Sequence, residues 1–213
     1  MKLFFDLDGP ILEVKFRHHR VYAEGIRAAR GTPLDVEDFW QLKRERASDT
    51  ELLRRSGVGP EALDGFRAHR LRRIEDDAVL RDDLLQPGLT ELLPELAAQH
   101  SLYLVTVRRC RDALERQLAR LGLTWHFVAV LSGQETAAPA WQLKRDLITG
   151  CVLPAPGVDW IIGDTETEIF AGRALGLRTV AVCNGIRSEA FLRAHEPDHL
   201  LPSANKLREL ILS

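Results

Sequence analysis

The apolar positions of this chain keep two different rhythms. Leu3-Phe4-Phe5 is a continuous apolar run, cut off by Asp6 and Asp8 and then by Gly9. A run of that kind, ended by a turn signal, predicts a buried strand. From about 13 to 81 the apolar residues recur at helical spacing, which predicts helices over 13–30, from an Asp35 cap through Leu42, over 50–55, and from Pro60 to about Leu80. Gly31-Thr32-Pro33 and Gly57-Val58-Gly59-Pro60 punctuate that block. After Gln86-Pro87-Gly88 the rhythm changes. Strands are predicted at 101–107, 127–131, 159–162 and 179–182, alternating with helices over 90–99, 111–121, 141–148 and 166–175. A helix near Glu189, an edge strand at 199–201 and a last helix from Asn205 complete the pattern.

Continuous apolar strands that alternate with helices predict an α/β fold: a Rossmann-like parallel sheet core with helices on both faces. The helical block interrupts this alternation directly after the first strand and reads as an inserted, all-helical cap over one end of the sheet. The expected boundaries are 1–12 and 87–213 for the core and 13–86 for the cap, with hinges near 12–14 and 85–88. The cap sequence holds 15 basic and 15 acidic residues, a mixed surface rather than a charged tail.

Ligands of open α/β sheets bind outside the carboxyl ends of the strands, so the residues delivered there matter most. The first strand delivers Asp6 and Asp8, which project into one space if the extended geometry persists. The second delivers Thr106, the third leads through Ser132-Gly133 to a helix bearing Lys144, and the fourth delivers Gly163-Asp164-Thr165 and then Glu168. Phosphoryl transfer needs such a set. A carboxylate can attack phosphorus, a second acid can protonate the leaving oxygen, and a hard cation held by carboxylates offsets the repulsion between anions. A lysine and a hydroxyl can hold the remaining oxygens. The bland readings are turn-forming aspartates, a solvated lysine, and Thr165 and Glu168 serving only the start of a helix.

Composition narrows the class. Of 213 residues, 29 are basic and 31 acidic, a formal charge of −2 that gives no support to a broad nucleic-acid footprint. No apolar run approaches a membrane span, and the three apolar residues before Asp6 are too few for a leader core. Cys110, Cys151 and Cys183 are widely spaced and odd in number, which suggests buried free thiols and a cytoplasmic, reducing compartment.

Asp6-Leu7-Asp8-Gly9, Thr106 after a strand, Lys144, and Gly163-Asp164-Thr165, in that order at strand ends, resemble the haloacid dehalogenase-like hydrolase superfamily. The stretch Ile162 to Gly172, with Ala174-Leu175-Gly176 behind it, looks most like the phosphoglycolate phosphatase-like branch, as does a helical insertion between the first and second motifs. The resemblance implies a phosphatase that hydrolyses a small phosphorylated metabolite through an aspartyl-phosphate. Asp6 would be the nucleophile and Asp8 the general acid and base. Thr106 and Lys144 would bind the phosphoryl group, with Val107 as a further substrate contact. Arg17, just past the catalytic loop in the cap, either meets the substrate's non-reacting end or lies on a solvated helix face. Mg²⁺ would be held by Asp6, the backbone carbonyl of Asp8 and Asp164. Glu168, standing where an aspartate is common, would reach the metal directly or through water, or leave its shell. Two departures stand out: Pro10 removes an amide from the loop that should cradle phosphate, and Arg108-Arg109 replaces a small residue and Asn. Those two cations either favour a strongly anionic substrate or lie on the surface. A phosphomutase-type phosphotransferase and a non-catalytic phosphate-ligand-binding protein are the alternatives on this scaffold. Monomer and homodimer are equally compatible with the sequence.

Overall fold

The computed structural model describes residues 1–134 and 137–212. In chain order, β1 (Lys2–Phe5) and β2 (Leu12–Glu13) precede α1 (Lys15–Ala28), α2 (Val36–Arg44), α3 (Asp49–Arg55), α4 (Leu63–Arg73), α5 (Asp77–Leu80) and β3 (Leu84–Leu85). There follow α6 (Leu89–Gln99), β4 (Ser101–Thr106), α7 (Arg111–Arg120), β5 (Ala129–Ser132), α8 (Ala140–Cys151), β6 (Trp160–Gly163) and α9 (Glu166–Leu175). The chain closes with β7 (Arg178–Val182), α10 (Glu189–Arg193), β8 (His199–Leu201) and α11 (Leu207–Ile211). Two compact units result, Met1–Glu13 with Leu85–Ser213, and Val14–Leu84. The expected borders, 12/13 and 86/87, lie one and two residues from these.

The first unit is built on a six-stranded sheet in the order β5-β4-β1-β6-β7-β8, with every neighbouring pair parallel. Alternation along β1 puts Phe4 on one face with Tyr103, Val105 and Ile161, packed against Ile148 of α8 and Ala171 of α9. Leu3, Phe5, Leu102 and Leu104 point to the other face and are also buried, so both faces are covered and the strands read as continuous apolar runs. The strand order matters for function. The chain moves outward from β1 to β4 and β5, then crosses back to β6 on the opposite side of β1. The carboxyl ends of β4, β1 and β6 therefore meet at the point where the winding reverses. Buried Asp159 secures the other end of β1, accepting from the Lys2 amide at 2.7 Å and the Ala155 amide at 2.7 Å.

The helical unit has its own core of Tyr22, Ile26, Phe39, Leu42, Leu52, Leu53 and Phe66. Tyr22 stacks on Phe39 with ring centroids 4.4 Å apart, and its hydroxyl reaches Ser56 Oγ at 2.6 Å. The expected Asp35 cap is present, accepting from the Asp38 amide at 2.9 Å, and Ser48 caps α3 in the same way. The single helix expected from Pro60 to Leu80 is divided. A 3₁₀ turn covers Pro60–Ala62, α4 ends at Arg73, and Asp76 is extended before α5. Arg73 pairs with Asp76 and Glu24, while the Asp76 carbonyl accepts from the amides of Val79 and Leu80 in α5. These bonds favour a turn where apolar spacing alone suggested continuity.

Three further expectations differ from what is found. The strand expected at 127–131 runs from Ala129 to Ser132, and Val128, whose amide donates to the Leu102 carbonyl at 2.7 Å, is exposed beside it. β2 and β3 form a two-stranded sheet, each too short to leave a periodic trace. Cys110 and Cys151 are exposed rather than buried, since one precedes α7 and the other ends α8. Among the described residues, no helix is long and apolar enough to cross a membrane.

Candidate active site

The end of β1 holds the first carboxylate in place. The Asp6 amide donates to the Ile162 carbonyl of β6 at 2.9 Å, which continues the ladder one residue beyond the strand. The chain then turns. Gly9 adopts φ 106°, and the Leu7 carbonyl accepts from Ile11 at 3.3 Å and Leu12 at 2.9 Å, while the Gly9 amide donates to the Leu12 carbonyl at 2.9 Å. Pro10 sits inside this closed turn, whose bonds come from its neighbours' amides, so the departure from the family pattern leaves the loop intact. Buried Gln86 adds a bond from Nε2 to the Gly9 carbonyl at 2.9 Å.

Lys144, on α8, reaches the same place from the side. Its side chain is 3% exposed, with Nζ 2.7 Å from Asp6 Oδ1 and 2.5 Å from Glu168 Oε1. The solvated-lysine reading is thereby excluded. Glu168 belongs to the first turn of α9, where its other oxygen, Oε2, accepts from the Thr165 amide at 3.2 Å and the Thr165 hydroxyl at 2.7 Å. Thr165 in turn caps the helix, accepting from the Thr167 amide. One glutamate thus starts a helix and balances a buried lysine.

Asp164, at the end of β6, is fully buried. Its Oδ2 accepts from the Ile186 amide at 2.5 Å, while its Oδ1 has no hydrogen-bond partner. Two glycines make the space for this carboxylate. A Cβ on Gly9 would stand 2.1 Å from Asp164 Oδ2, and one on Gly185 would stand 2.0 Å from the same atom. An unpaired buried carboxylate oxygen is costly and calls for a partner. Asp6, Asp164 and Glu168 each offer an oxygen within 4.8 Å of the others, a set suited to a hard divalent cation. Within that set Asp164 has an unused oxygen, whereas both Glu168 oxygens already accept from protein donors.

The electrostatics follow from this crowding. Burial pushes the Asp6 carboxyl up to about 7, partly offset by Lys144, with Glu168 and Asp8 adding repulsion. Asp164 is raised well above the ordinary carboxylate range by burial and by the negative charges of Asp6 and Glu168. Burial works against charge on Lys144, but Asp6 and Glu168 outweigh it and keep the ammonium protonated beyond the usual lysine range.

The remaining expected residues divide. Thr106 is buried at the end of β4, paired in register with Ser132, and Val107 follows it half-buried. Asp8 is 27% exposed, and both its oxygens are taken by Arg108, from Nε at 2.9 Å and from Nη2 at 2.6 Å. Arg108 is therefore not a surface cation. Arg17, expected to contact substrate, is 1% exposed, and its Nε lies 3.1 Å from Asp83 Oδ1 within the helical unit. That buried pairing engages its guanidinium inside the unit, so the structure gives Arg17 a structural partner where a substrate contact was expected. The Gly185-Ile186 loop after β7 was not anticipated. The signal available for it was Asn184-Gly185, a turn dipeptide directly after a predicted strand.

Comparison with known proteins identifies the family. The haloacid dehalogenase-like hydrolase family profile matches residues 3–176, and a HAD-hydrolase-like profile matches residues 153–209. A phosphoglycolate phosphatase from Synechococcus elongatus is 28% identical over 186 residues, covering 84% of this chain and 82% of that protein. The pyrophosphatase PpaX from Halalkalibacterium halodurans is 24% identical over 167 residues, covering 72% of this chain and 77% of that protein. Among solved structures, a haloacid dehalogenase-like hydrolase from Streptococcus pneumoniae superposes with a TM-score of 0.78 at 19% identity, covering 98% of this chain and 97% of that one. By its strand order, its motif residues and these matches, the chain belongs to the haloacid dehalogenase-like hydrolase family, in the phosphoglycolate phosphatase-like branch.

Proposed function

We propose that this protein is a Mg²⁺-dependent phosphatase that hydrolyses small phosphorylated metabolites through a phosphorylated Asp6. One observation carries the reading: a buried lysine bridges two carboxylates, beside a third whose inner oxygen has no partner, at the switch point of a parallel sheet. Relatives named for phosphoglycolate and for pyrophosphate support the reaction class.

In this mechanism Asp6, held by the β6 ladder, attacks phosphorus with one carboxylate oxygen as the ester bond to the leaving oxygen breaks. Asp8, one strand period along and partly exposed, delivers the proton that the leaving oxygen needs. It then takes a proton from the water that cleaves the acyl-phosphate. Lys144 and Thr106 hold the other phosphoryl oxygens, with the amides around Val107 beside them. Glu168 keeps Lys144 charged and aimed, acting through the lysine. Asp6, the Asp8 carbonyl and Asp164 would hold Mg²⁺, which when bound supplies the positive charge that lets an anion approach an anion. The test is phosphate release across a panel of small phosphomonoesters with Mg²⁺. At least one member should turn over at roughly 1 s⁻¹ or faster, EDTA should stop it, and failure on the whole panel would refute the proposal.

The metal site has a readout separate from activity. Asp6 ordinarily titrates at 3.8 but is pushed up to about 7 in the folded protein. The folded protein therefore binds a proton that the unfolded chain has released between those values. The stability contributed by this group is complete below 3.8 and is lost as pH rises through about 7. Above that range the ionised carboxylate of Asp6 would be available to hold Mg²⁺. At about a hundredfold excess over its dissociation constant Mg²⁺ should add about 2.7 kcal/mol, with a larger rise in Tm at pH 8 than at pH 6. In Asp164→Asn the rise should be largely gone; an undiminished rise would place the ion elsewhere.

A further inference from the structure

The turn after β1 is tied down at a point that its own amides do not serve. Gly9 donates its amide to the Leu12 carbonyl at 2.9 Å, a bond made inside the turn. Its carbonyl accepts from 77 positions away, from Nε2 of Gln86 at 2.9 Å. The Gln86 amide also donates to the Ile11 carbonyl at 2.8 Å, so the donor is itself anchored to the turn it holds. Gln86 is 7% exposed, which leaves little room for water to take over as donor. Pro10 makes this bond matter. A peptide unit ordinarily turns by opposed rotations at the ψ before it and the φ after it. Proline fixes the second at about −65°. Turning the Gly9–Pro10 carbonyl therefore falls on the ψ of Gly9 alone and carries the rest of the turn with it. Glycine resists such rotation less than any other residue, so one side-chain bond restrains the one soft torsion left here.

Gly9 adjoins two of the groups proposed to hold Mg²⁺. The Asp8 carbonyl belongs to the peptide unit directly before it. Asp164 packs so closely against it that a Cβ there would lie 2.1 Å from Oδ2. A shift of Gly9 turns the Asp8 carbonyl and loosens the seat of Asp164 together. We infer that Gln86 is a positioning residue for the cation site, acting through Gly9 to fix the Asp8 carbonyl and the place of Asp164. Outer groups that orient a metal's ligands in this way set its affinity without touching the ion. This inference rests on the Mg²⁺ site of the phosphatase reading.

The test reads Mg²⁺ affinity rather than activity. Tm of the native protein, Gln86→Met and Gln86→Glu is recorded at pH 8 against Mg²⁺ concentration, with EDTA as the zero. The rise gives a dissociation constant for each protein. Gln86→Met keeps the length of the side chain and removes the donor. Gln86→Glu keeps its shape but sets an acceptor, with added negative charge, against the Gly9 carbonyl. Both should raise the Mg²⁺ dissociation constant by about fivefold or more, the scale of one hydrogen bond. A role in the fold alone would lower Tm in EDTA and leave the dissociation constant unchanged. A role of charge alone would tighten Mg²⁺ binding in Gln86→Glu. A rise below about fivefold in either variant would therefore overturn the inference. A variant that does not fold is replaced by Gln86→Asn, which draws the same amide back by one methylene and carries the same expectation. Asp164→Asn separates the two levels. If the native protein gains Tm with Mg²⁺ and Asp164→Asn does not, while the Gln86 variants match the native constant, the inference alone fails. If the native protein gains nothing, or Asp164→Asn gains as much, the proposed Mg²⁺ site falls and the inference with it.

Discussion

Asp6→Asn should lower kcat by at least about 10⁴-fold, because an amide oxygen does not form the acyl-phosphate on which both half-reactions depend. The same substitution should leave the fold in place. Asparagine matches aspartate in shape, and the folded protein already holds Asp6 partly neutral, since burial pushes its carboxyl up to about 7. At pH 5 in EDTA, where the native Asp6 carries its proton, the two proteins should unfold within a few degrees of each other. At pH 8 the variant gains by escaping the burial of a charge and loses one partner of Lys144, while Glu168 remains at 2.5 Å. Steady-state phosphate release and thermal unfolding on the same preparation check both halves. Near-normal turnover in a folded Asp6→Asn protein would end the assignment.

The second large effect lies in Lys144. Lys144→Met takes away the one cation that, among the described residues, pairs with Asp6 and Glu168, at 2.7 and 2.5 Å, and leaves carboxylates facing each other in a buried space. Breaking a buried pair in this way costs about 3–5 kcal/mol, which for a chain of this size lowers Tm by roughly 10 °C. Phosphate turnover should fall by about 10²–10³-fold or more with the loss of a donor aimed at the phosphoryl oxygens. The double variant Lys144→Met/Glu168→Gln separates the two roles. Removing the surplus charge should recover at least half of the lost stability in EDTA, while activity stays lost. Recovery of activity together with stability would mean that the lysine serves the fold alone.

Much of the site could be read in the sequence because each piece has a local signature. A buried strand ending in Asp-x-Asp-Gly, a strand ending in Thr, and Gly-Asp-Thr after an apolar run are written in neighbouring residues, and the strand-end rule brings them together. The capping box was legible too, since Thr165 and Glu168 are three residues apart. What was not legible depends on long-range geometry. Arg108 and Asp8 are 100 positions apart, and nothing local to either says that β4 lies beside β1. Arg17 and Asp83 are a similar case, because helical spacing does not distinguish a solvated arginine from one whose counter-charge arrives at the end of the same unit. The division near Asp76 was hidden for a different reason. Arg73, Glu24 and Asp76 form a polar network there, and apolar periodicity carries no information about such bonds.

The double duty of Glu168 links two properties usually treated apart. A helix end is the part of a helix that opens first. Here the first turn of α9 carries the counter-charge that holds Lys144, so each transient fraying of that turn also slackens the lysine's aim at Asp6. On the phosphatase reading, heat should therefore silence the site before it melts the sheet.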